Sequence, residues 1–424
     1  MATFKKFLNS RSEFLKNALT LAAGTSLAQV IPILATPILT RLFTPEDFGV
    51  LGVLVALGTT LGIVATGRYE LSMLSLRSNV IALKLALLSL KISIIFCLTL
   101  TLFIFSFEGQ IKNFYKDANF GNEIYILPIF VLALSINNIV NYLNIREKNY
   151  FAISSANIKR SISQVVTQFV LGYSNISIGL VVGQIVSMYY GNLLLLNGLL
   201  KKGLLKNYER SKKLNVTSLL LYKFKKQPLF SLPGSLFNNL NLNIIIIVHG
   251  ANLTLSTIGL YAISVKLLGY PSSLIGQAIS EVFFREASEE KKKTGVIIKT
   301  FDWTIVRLTL LSIPIYLIVY FFSEDLFGFV LGSDWAAAGI YCVIQIPYFW
   351  SRFIVSAVTP VDIIMQKQQF YFYFNSVSLF INVIILVIFS SLPFEELLSV
   401  FAWLNFTLTI LYCVVLRLCA NGKI

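Results

Sequence analysis

The chain has 424 residues, of which 56% are hydrophobic and 13% charged, and 35 Lys and Arg against 20 Asp and Glu give a formal net charge of +15. A soluble domain carries about 25% charged residues, so this composition, with a mean hydropathy of +0.75, excludes an ordinary soluble globular protein. No GxxxxGK[ST], HExxH, DxD or GxSxG motif is present, and no polar segment is long enough for an ATPase or glycosyltransferase domain.

Crossing a bilayer core as a helix takes about 20 apolar residues. Stretches of that kind follow one another at 16–39, 48–67, 85–107, 124–143, 153–173, 176–198, 230–249, 255–280, 303–322, 338–358, 370–390 and 397–416. These predict an all-α integral membrane protein of about twelve transmembrane helices. At the N-terminus Lys5, Lys6, Arg11 and Lys16 precede an apolar run that continues past Ala28 to Leu39, which reads as an uncleaved first helix.

The charges between the spans alternate. Lys and Arg gather on the cytoplasmic side of membrane proteins. With the N-terminus inside, the inner loops hold Arg77 and Lys84, then Arg146, Lys148, Lys159 and Arg160, then a long basic stretch from Lys201 to Lys226. Arg285, Lys291, Lys292, Lys293 and Lys299 follow, then Lys367, and finally Arg417 and Lys423. The outer loops hold Arg41, Lys112 and Lys116, but are otherwise acidic, with Glu46, Asp47, Glu108, Asp117, Glu324, Asp325, Asp334, Glu395 and Glu396. This pattern predicts both termini in the cytoplasm, and it makes the positive charge a signal of topology rather than of nucleic-acid binding. The four cysteines, Cys97, Cys342, Cys413 and Cys419, lie in or beside apolar spans and form no CxxC pair. His249 is the sole histidine and reads as a polar cap at a helix end, so no metal site or cofactor is expected.

The chain also looks doubled. Thr44–Gly52 follows span one and Thr254–Ala262 follows span seven, each as Thr, three residues, an aromatic or aliphatic residue, Gly and an aliphatic residue. Both copies sit on an outer loop and lie about half a chain apart, which predicts a parallel repeat. The expected organisation is a six-helix half at 1–200, a basic cytoplasmic linker at 201–228 and a second six-helix half at 229–424.

Four stretches resemble the oligosaccharide (O-antigen type) flippases of the polysaccharide transporter family. This family belongs to the superfamily that also holds multidrug extruders and lipid II flippases. The stretches are 28–49, Arg68-Tyr69-Glu70-Leu71, Leu232-Pro233-Gly234-Ser235 and, most specifically, 259–285; beyond residue 300 the likeness is in hydropathy and length. The resemblance implies two six-helix bundles around a central cavity in the bacterial cytoplasmic (inner) membrane. It implies movement of a polyprenyl-diphosphate-linked oligosaccharide from the inner to the outer leaflet by alternating access, for O-antigen, capsule or exopolysaccharide synthesis. Implied partners are the lipid-linked oligosaccharide, H⁺ or Na⁺ as coupling ion, and a polysaccharide polymerase with a chain-length regulator.

Such a passenger needs cations for its diphosphate and polar groups for its sugar. Cations in spans are costly unless they face a cavity, find a partner or snorkel. The candidates are Lys266, midway along span eight, with Arg307, Arg352, Lys91, Arg68 and Arg41. Each also admits a structural use: an ion pair across the bundle for Lys266, snorkelling for Arg352 and Lys91, the inner-edge charge bias for Arg68, and pairing with Glu46 or Asp47 for Arg41. Glu70 and Glu281, at comparable places in the two halves, are the candidate ion-coupling carboxylates or else helix-end salt bridges. Amides recur at helical spacing: Asn157, Ser161, Gln164 and Gln168 in span five, and Asn137, Asn141 and Asn144 in span four. Asn238, Asn239, Asn241 and Asn243 in span seven, with Asn375 and Asn382 in span eleven, add to them. Of these, Asn141, Gln164 and Gln168 are the candidate sugar contacts, although interhelical bonding fits equally well. Pro32, Pro37, Pro271 and Pro314 interrupt spans and supply kinks or hinges. An ion-coupled multidrug exporter needs deep carboxylates rather than deep cations, and a membrane-embedded polymerase or ligase needs a large outer loop; both are rival readings, the second non-transporting.

Overall fold

The computed structural model describes residues 23–114, 121–201, 208–209, 211 and 216–423. Lys5, Lys6, Arg11, Lys16, Lys116, Asp117 and, within the expected linker, residues 202–207, 210 and 212–215 lie outside the described residues. Among the described residues every regular element is helical. The long helices are α1 (Ala23–Leu42), α2 (Pro45–Ala65), α3 (Asn79–Ser106), α4 (Leu127–Arg146), α5 (Tyr150–Tyr173) and α6 (Gly179–Lys201). They continue as α7 (Gln227–Asn252), α8 (Leu255–Thr294), α9 (Ile298–Leu331), α10 (Ala336–Ser356), α11 (Gln368–Ile388) and α12 (Phe394–Ala420). Eleven of these are long and apolar enough to cross a membrane. The exception is α5, which has the length, at 24 residues, but carries Asn157, Lys159, Arg160, Ser161, Gln164 and Gln168.

Two expected loops are helical instead. The basic stretch after span eight extends α8 to Thr294, where Gly295 at φ 79° ends it in the left-handed conformation and Lys291, Lys292 and Lys293 occupy its last turn. Cations there complement the helix dipole, and a glycine at this position is the commonest stop. Glu324 and Asp325 likewise lie within α9, whose 34 residues give it a length of about 50 Å. Three π-turns interrupt α7 and α8, at Gln227–Ser231, Ile245–His249 and Ser272–Gly276. The last follows Pro271, which cannot donate its backbone hydrogen bond. His249 is buried at the end of the second, its ring stacked on Phe394.

The chain divides into two compact units. The first holds the described residues through Phe43 together with Val53–Leu236. Inside it α5 packs on α6, α4 on α6 and α3 on α4. Tyr69, Met73, Ala82, Leu85, Leu143 and Leu195 belong to one apolar cluster that ties the turn after α2 to α3, α4 and α6. Amides stitch the same helices: Asn137 donates to Asn192 Oδ1, Asn192 to the Ala133 carbonyl, Asn144 to the Leu195 carbonyl and Gln168 to the Leu180 carbonyl. Each such bond in a membrane contributes on average about 0.6 kcal/mol, while an unpaired buried amide costs more.

The second unit is Thr44–Gly52 with Phe237–Ile424. Here α9 packs on α10, α10 on α12 and α8 on α10. Gln345 donates to Ser264 Oγ, Tyr316 to the Phe349 carbonyl and Trp350 to Ser312 Oγ. Asn382 and Asn405 bond reciprocally at 3.3 and 2.9 Å, and Asn382 also reaches Asn241.

Both copies of the Thr–Gly motif fall in this second unit, and they meet. Thr44 and Asp47 close a reciprocal capping box, the Thr44 N–H and hydroxyl donating to Asp47 Oδ2 at 2.9 and 3.2 Å and the Asp47 N–H to Thr44 Oγ1 at 3.4 Å. Thr254 caps its helix by accepting from the Thr257 N–H. A Cβ on Gly49 would lie 2.0 Å from the Leu255 carbonyl oxygen, and one on Gly259 would lie 1.8 Å from that of Pro45. The equivalent residues of the two copies thus press against each other reciprocally, at a distance that glycine permits. Phe48 adds an edge-to-face contact with the fully buried Trp335.

Candidate functional site

The richest polar constellation in the first unit is the turn Tyr69–Ser75 between α2 and α3. The chain enters it through Gly67 and Arg68, both at positive φ (59° and 60°). A non-glycine residue in that region costs about 1 kcal/mol and persists only where its surroundings hold it. What holds this turn is Arg146 of α4, whose guanidinium donates to the carbonyls of Met73 and Leu76 and to Asn79 Oδ1.

Arg68 is thereby aimed at Ser235, to which its Nη2 donates at 2.8 Å, while Nη1 lies 3.7 Å from Glu70 Oε1. That second distance makes an ion pair without a hydrogen bond. Glu70 is completely buried, whereas Arg68 keeps a fifth of its side chain accessible. Among the described residues neither Glu70 oxygen, nor Arg68 Nε, nor Ser72 Oγ has a close hydrogen-bond partner. Burial pushes the Glu70 carboxyl above the ordinary carboxylate range, opposed by its own backbone N–H, the nearby Thr66 hydroxyl and the Arg68 charge. Asn141, on α4, also has a buried and unpartnered Oδ1.

In the second unit Lys266 sits within α8, half-buried. Among the described residues it has neither a carboxylate nor a hydrogen-bond partner, so the ion pair across the bundle is absent. Arg352 of α10 is half-buried and approaches the Tyr348 hydroxyl at 3.4 Å, with its guanidinium 5.9 Å from that ring. Its charge also acts on Tyr261, Tyr316 and Tyr371, so it stands among tyrosines rather than opposite an acid.

The other expected residues fall elsewhere. Arg307 is exposed and stacked on Trp303 at 3.4 Å, on a face with the exposed Val306 and Leu310. Lys91 and Arg41 are exposed; Asp47, one of the expected partners of Arg41, closes the capping box instead. Glu281 is exposed, unlike Glu70. Gln168 is buried and occupied by the Leu180 carbonyl, which answers to interhelical bonding, and Gln164 is half-buried on the same helix.

Sequence reasoning missed Asp362. It is 4% exposed in a short helix, Val361–Ile364, and accepts a 2.5 Å hydrogen bond from Tyr412, while its Oδ1 has no partner among the described residues. A lone acid in the apolar run after Pro360 was the available signal. Ser235 was visible as the end of Leu232-Pro233-Gly234-Ser235, but its pairing with Arg68 spans more of the chain than local pattern can reach.

Residues 38–339 match the model of a family described as polysaccharide biosynthesis protein. No curated protein sequence matches. Among solved structures, the lipid II flippase MurJ in its inward closed conformation has a TM-score of 0.66 at 14% identity, covering 95% of this chain and 87% of that one. An inward-facing multidrug resistance MATE family transporter of the MOP superfamily has a TM-score of 0.56 at 14% identity over 95% of this chain and 94% of that one. An outward-facing transporter of that family gives 0.51 at 14% identity over 96% and 95%. At such identities the likeness is one of fold.

Proposed function

Because the chain belongs to the polysaccharide biosynthesis protein family and has the fold of flippases and exporters of the MOP superfamily, we propose that it moves a polyprenyl-diphosphate-linked oligosaccharide from the cytoplasmic to the outer leaflet. The repeat unit feeds O-antigen, capsule or exopolysaccharide assembly. The protein resides in a bacterial cytoplasmic membrane with both termini inside, and its six-helix halves alternate access around a basic linker. A polymerase and a chain-length regulator receive its product.

The observation that carries this reading is the pair of interior cations without acid partners. Lys266 and Arg352 are half-buried in spanning helices and face no carboxylate among the described residues. Holding a cation in a span costs about 2.5–3.5 kcal/mol on insertion scales, and an anionic passenger offsets that cost. Arg68, with its accessible edge, is a third diphosphate contact, and Asn141 and Gln164 are candidate sugar contacts. Glu70 is the candidate ion-coupling group for H⁺ or Na⁺.

The test is translocation of a lipid-linked oligosaccharide by purified protein in vesicles. Wild-type protein should move it, and Lys266→Ala and Arg352→Ala should each slow movement at least tenfold. Vesicles in which the wild type moves none sink the reading. Drug sensitivity that changes on deletion while surface polysaccharide stays intact favours an exporter of cationic drugs instead.

A further inference from the structure

The Arg68–Glu70 pair is incomplete in a way that has a chemical consequence. An ordinary buried ion pair shares hydrogen bonds between its partners, because each bare charge otherwise lacks the solvation it lost. Here the guanidinium turns one amino group to Ser235, leaves Nε unpartnered among the described residues, and holds Nη1 at 3.7 Å from a carboxylate with no close hydrogen bond, only the weaker pull of its own backbone N–H and the Thr66 hydroxyl. Glu70 is sealed, and Arg68 is open on one side. From these facts we infer that Glu70 is a proton site coupled to anion binding at Arg68, so that an isoprenoid diphosphate and one proton bind together.

The step is a plain protonation. An anion that docks on the open side of Arg68 draws the guanidinium's charge to itself and places negative charge near Glu70. The carboxylate, now without its counter-charge, takes one proton from solvent and becomes a neutral acid. No bond to the passenger forms, and the net charge of the site with its ligand stays closer to zero. Linkage requires the converse: protonated Glu70 leaves Arg68 unopposed and strengthens its hold on the anion. Burial already favours the neutral acid.

The neighbouring groups leave Glu70 as the responsive one. On its own turn only Arg68 and Tyr69 ionise. From α4 come Tyr142, on which both Arg68 and Glu70 act, and Arg146, which is engaged with the Met73 and Leu76 carbonyls. From α3 the packing residues are apolar, Ala82, Leu85 and Ala86 among them; its Lys84 is half-buried and its Lys91 exposed. The π-turn Gln227–Ser231, which also packs here, has no ionisable side chain.

This inference rests on the proposed diphosphate passenger but is tested apart from transport. The full-length protein in nanodiscs is titrated calorimetrically with farnesyl diphosphate at pH 7 in HEPES and in Tris, whose ionisation heats differ. The difference in heat gives the protons taken up per ligand, expected at about half a proton or more. Affinity should weaken as pH rises, by up to about tenfold per unit above the Glu70 pKa. Glu70→Gln, close to isosteric, should still bind, with uptake near zero and affinity independent of pH; Tyr142→Phe should behave as wild type. Arg68→Lys should bind more weakly and keep the uptake. Inorganic pyrophosphate, run in parallel, tells a lipid-linked ligand from a free one. Absence of binding, binding without uptake, or uptake that survives Glu70→Gln each overturns the inference. If uptake is found and vesicles still move no oligosaccharide, the transport reading falls and the coupled site stands.

Discussion

The two Thr–Gly motifs agree with each other, and the acids that follow them do not. At the Thr44 and Thr254 motifs both threonines cap helices, and both glycines press on the partner copy's backbone. At the acids that follow them the likeness ends, for Glu70 is sealed, with no close hydrogen bond among the described residues, while Glu281 is exposed on the extension of α8. The second unit's buried acid is a different residue, Asp362, and it has a hydrogen bond from Tyr412. The two motifs therefore share a packing role where backbones meet, while the acids that follow them differ in how they are solvated.

The shared end is where a substitution should do most. Gly259→Val would place a branched side chain against the Pro45 carbonyl, where even a Cβ falls at 1.8 Å from the oxygen. Backbone cannot yield as a flexible side chain does, so the expected cost is about 3 kcal/mol or more, at the upper end for overpacking. Thermal unfolding of detergent-purified protein should show it, and Gly49→Val should match it if the contact is as reciprocal as the geometry indicates. A variant pair that differs widely breaks the symmetry argument.

Next in size is the contrast between the two buried acids. Tyr412→Phe removes the hydrogen bond from Asp362 and leaves its whole carboxyl unpartnered, with an expected loss of about 1–3 kcal/mol. Ser235→Ala, which removes the partner of Arg68, should cost less, about 1 kcal/mol, because Arg68 remains partly solvated. Chemical-denaturant or thermal midpoints rank the two. A larger loss at Ser235 would mean that the Arg68 side chain is more fully sealed than a fifth exposed.

Much of this was legible in the sequence, and the rest was not for identifiable reasons. The spans follow from apolar length, and the family from Arg68-Tyr69-Glu70 and the 259–285 stretch, which the family match at 38–339 bears out. Helix ends were harder: α8 and α9 run on through charged residues, because hydropathy marks the bilayer and not where a helix stops. Side-chain partners were beyond reach. Gln168 and Gln164 share a face and look alike as letters, but Gln168 bonds to Leu180 on the next helix. The expected equivalence of Glu70 and Glu281 failed because burial depends on which helices cover a position. Proline punctuation was informative at Pro271, where a π-turn follows, although the turns at Gln227 and Ile245 had no such plain mark.

A pH titration of stability separates the two halves' acids at smaller amplitude. Burial raises the folded pKa of Glu70 above that of the unfolded chain, near 4.3 for glutamate. Between the two values the folded protein binds more protons than the unfolded one, so stability falls as pH rises through that window and levels off above it. Glu70→Gln should flatten this part of the profile relative to wild type. Glu281→Gln, at an exposed position, should leave the midpoint within about 0.5 kcal/mol at every pH. It should also leave oligosaccharide movement in vesicles unchanged. A Glu281→Gln variant with the pH profile of Glu70→Gln would restore the symmetry that the structure denies, and would place a proton site in each half.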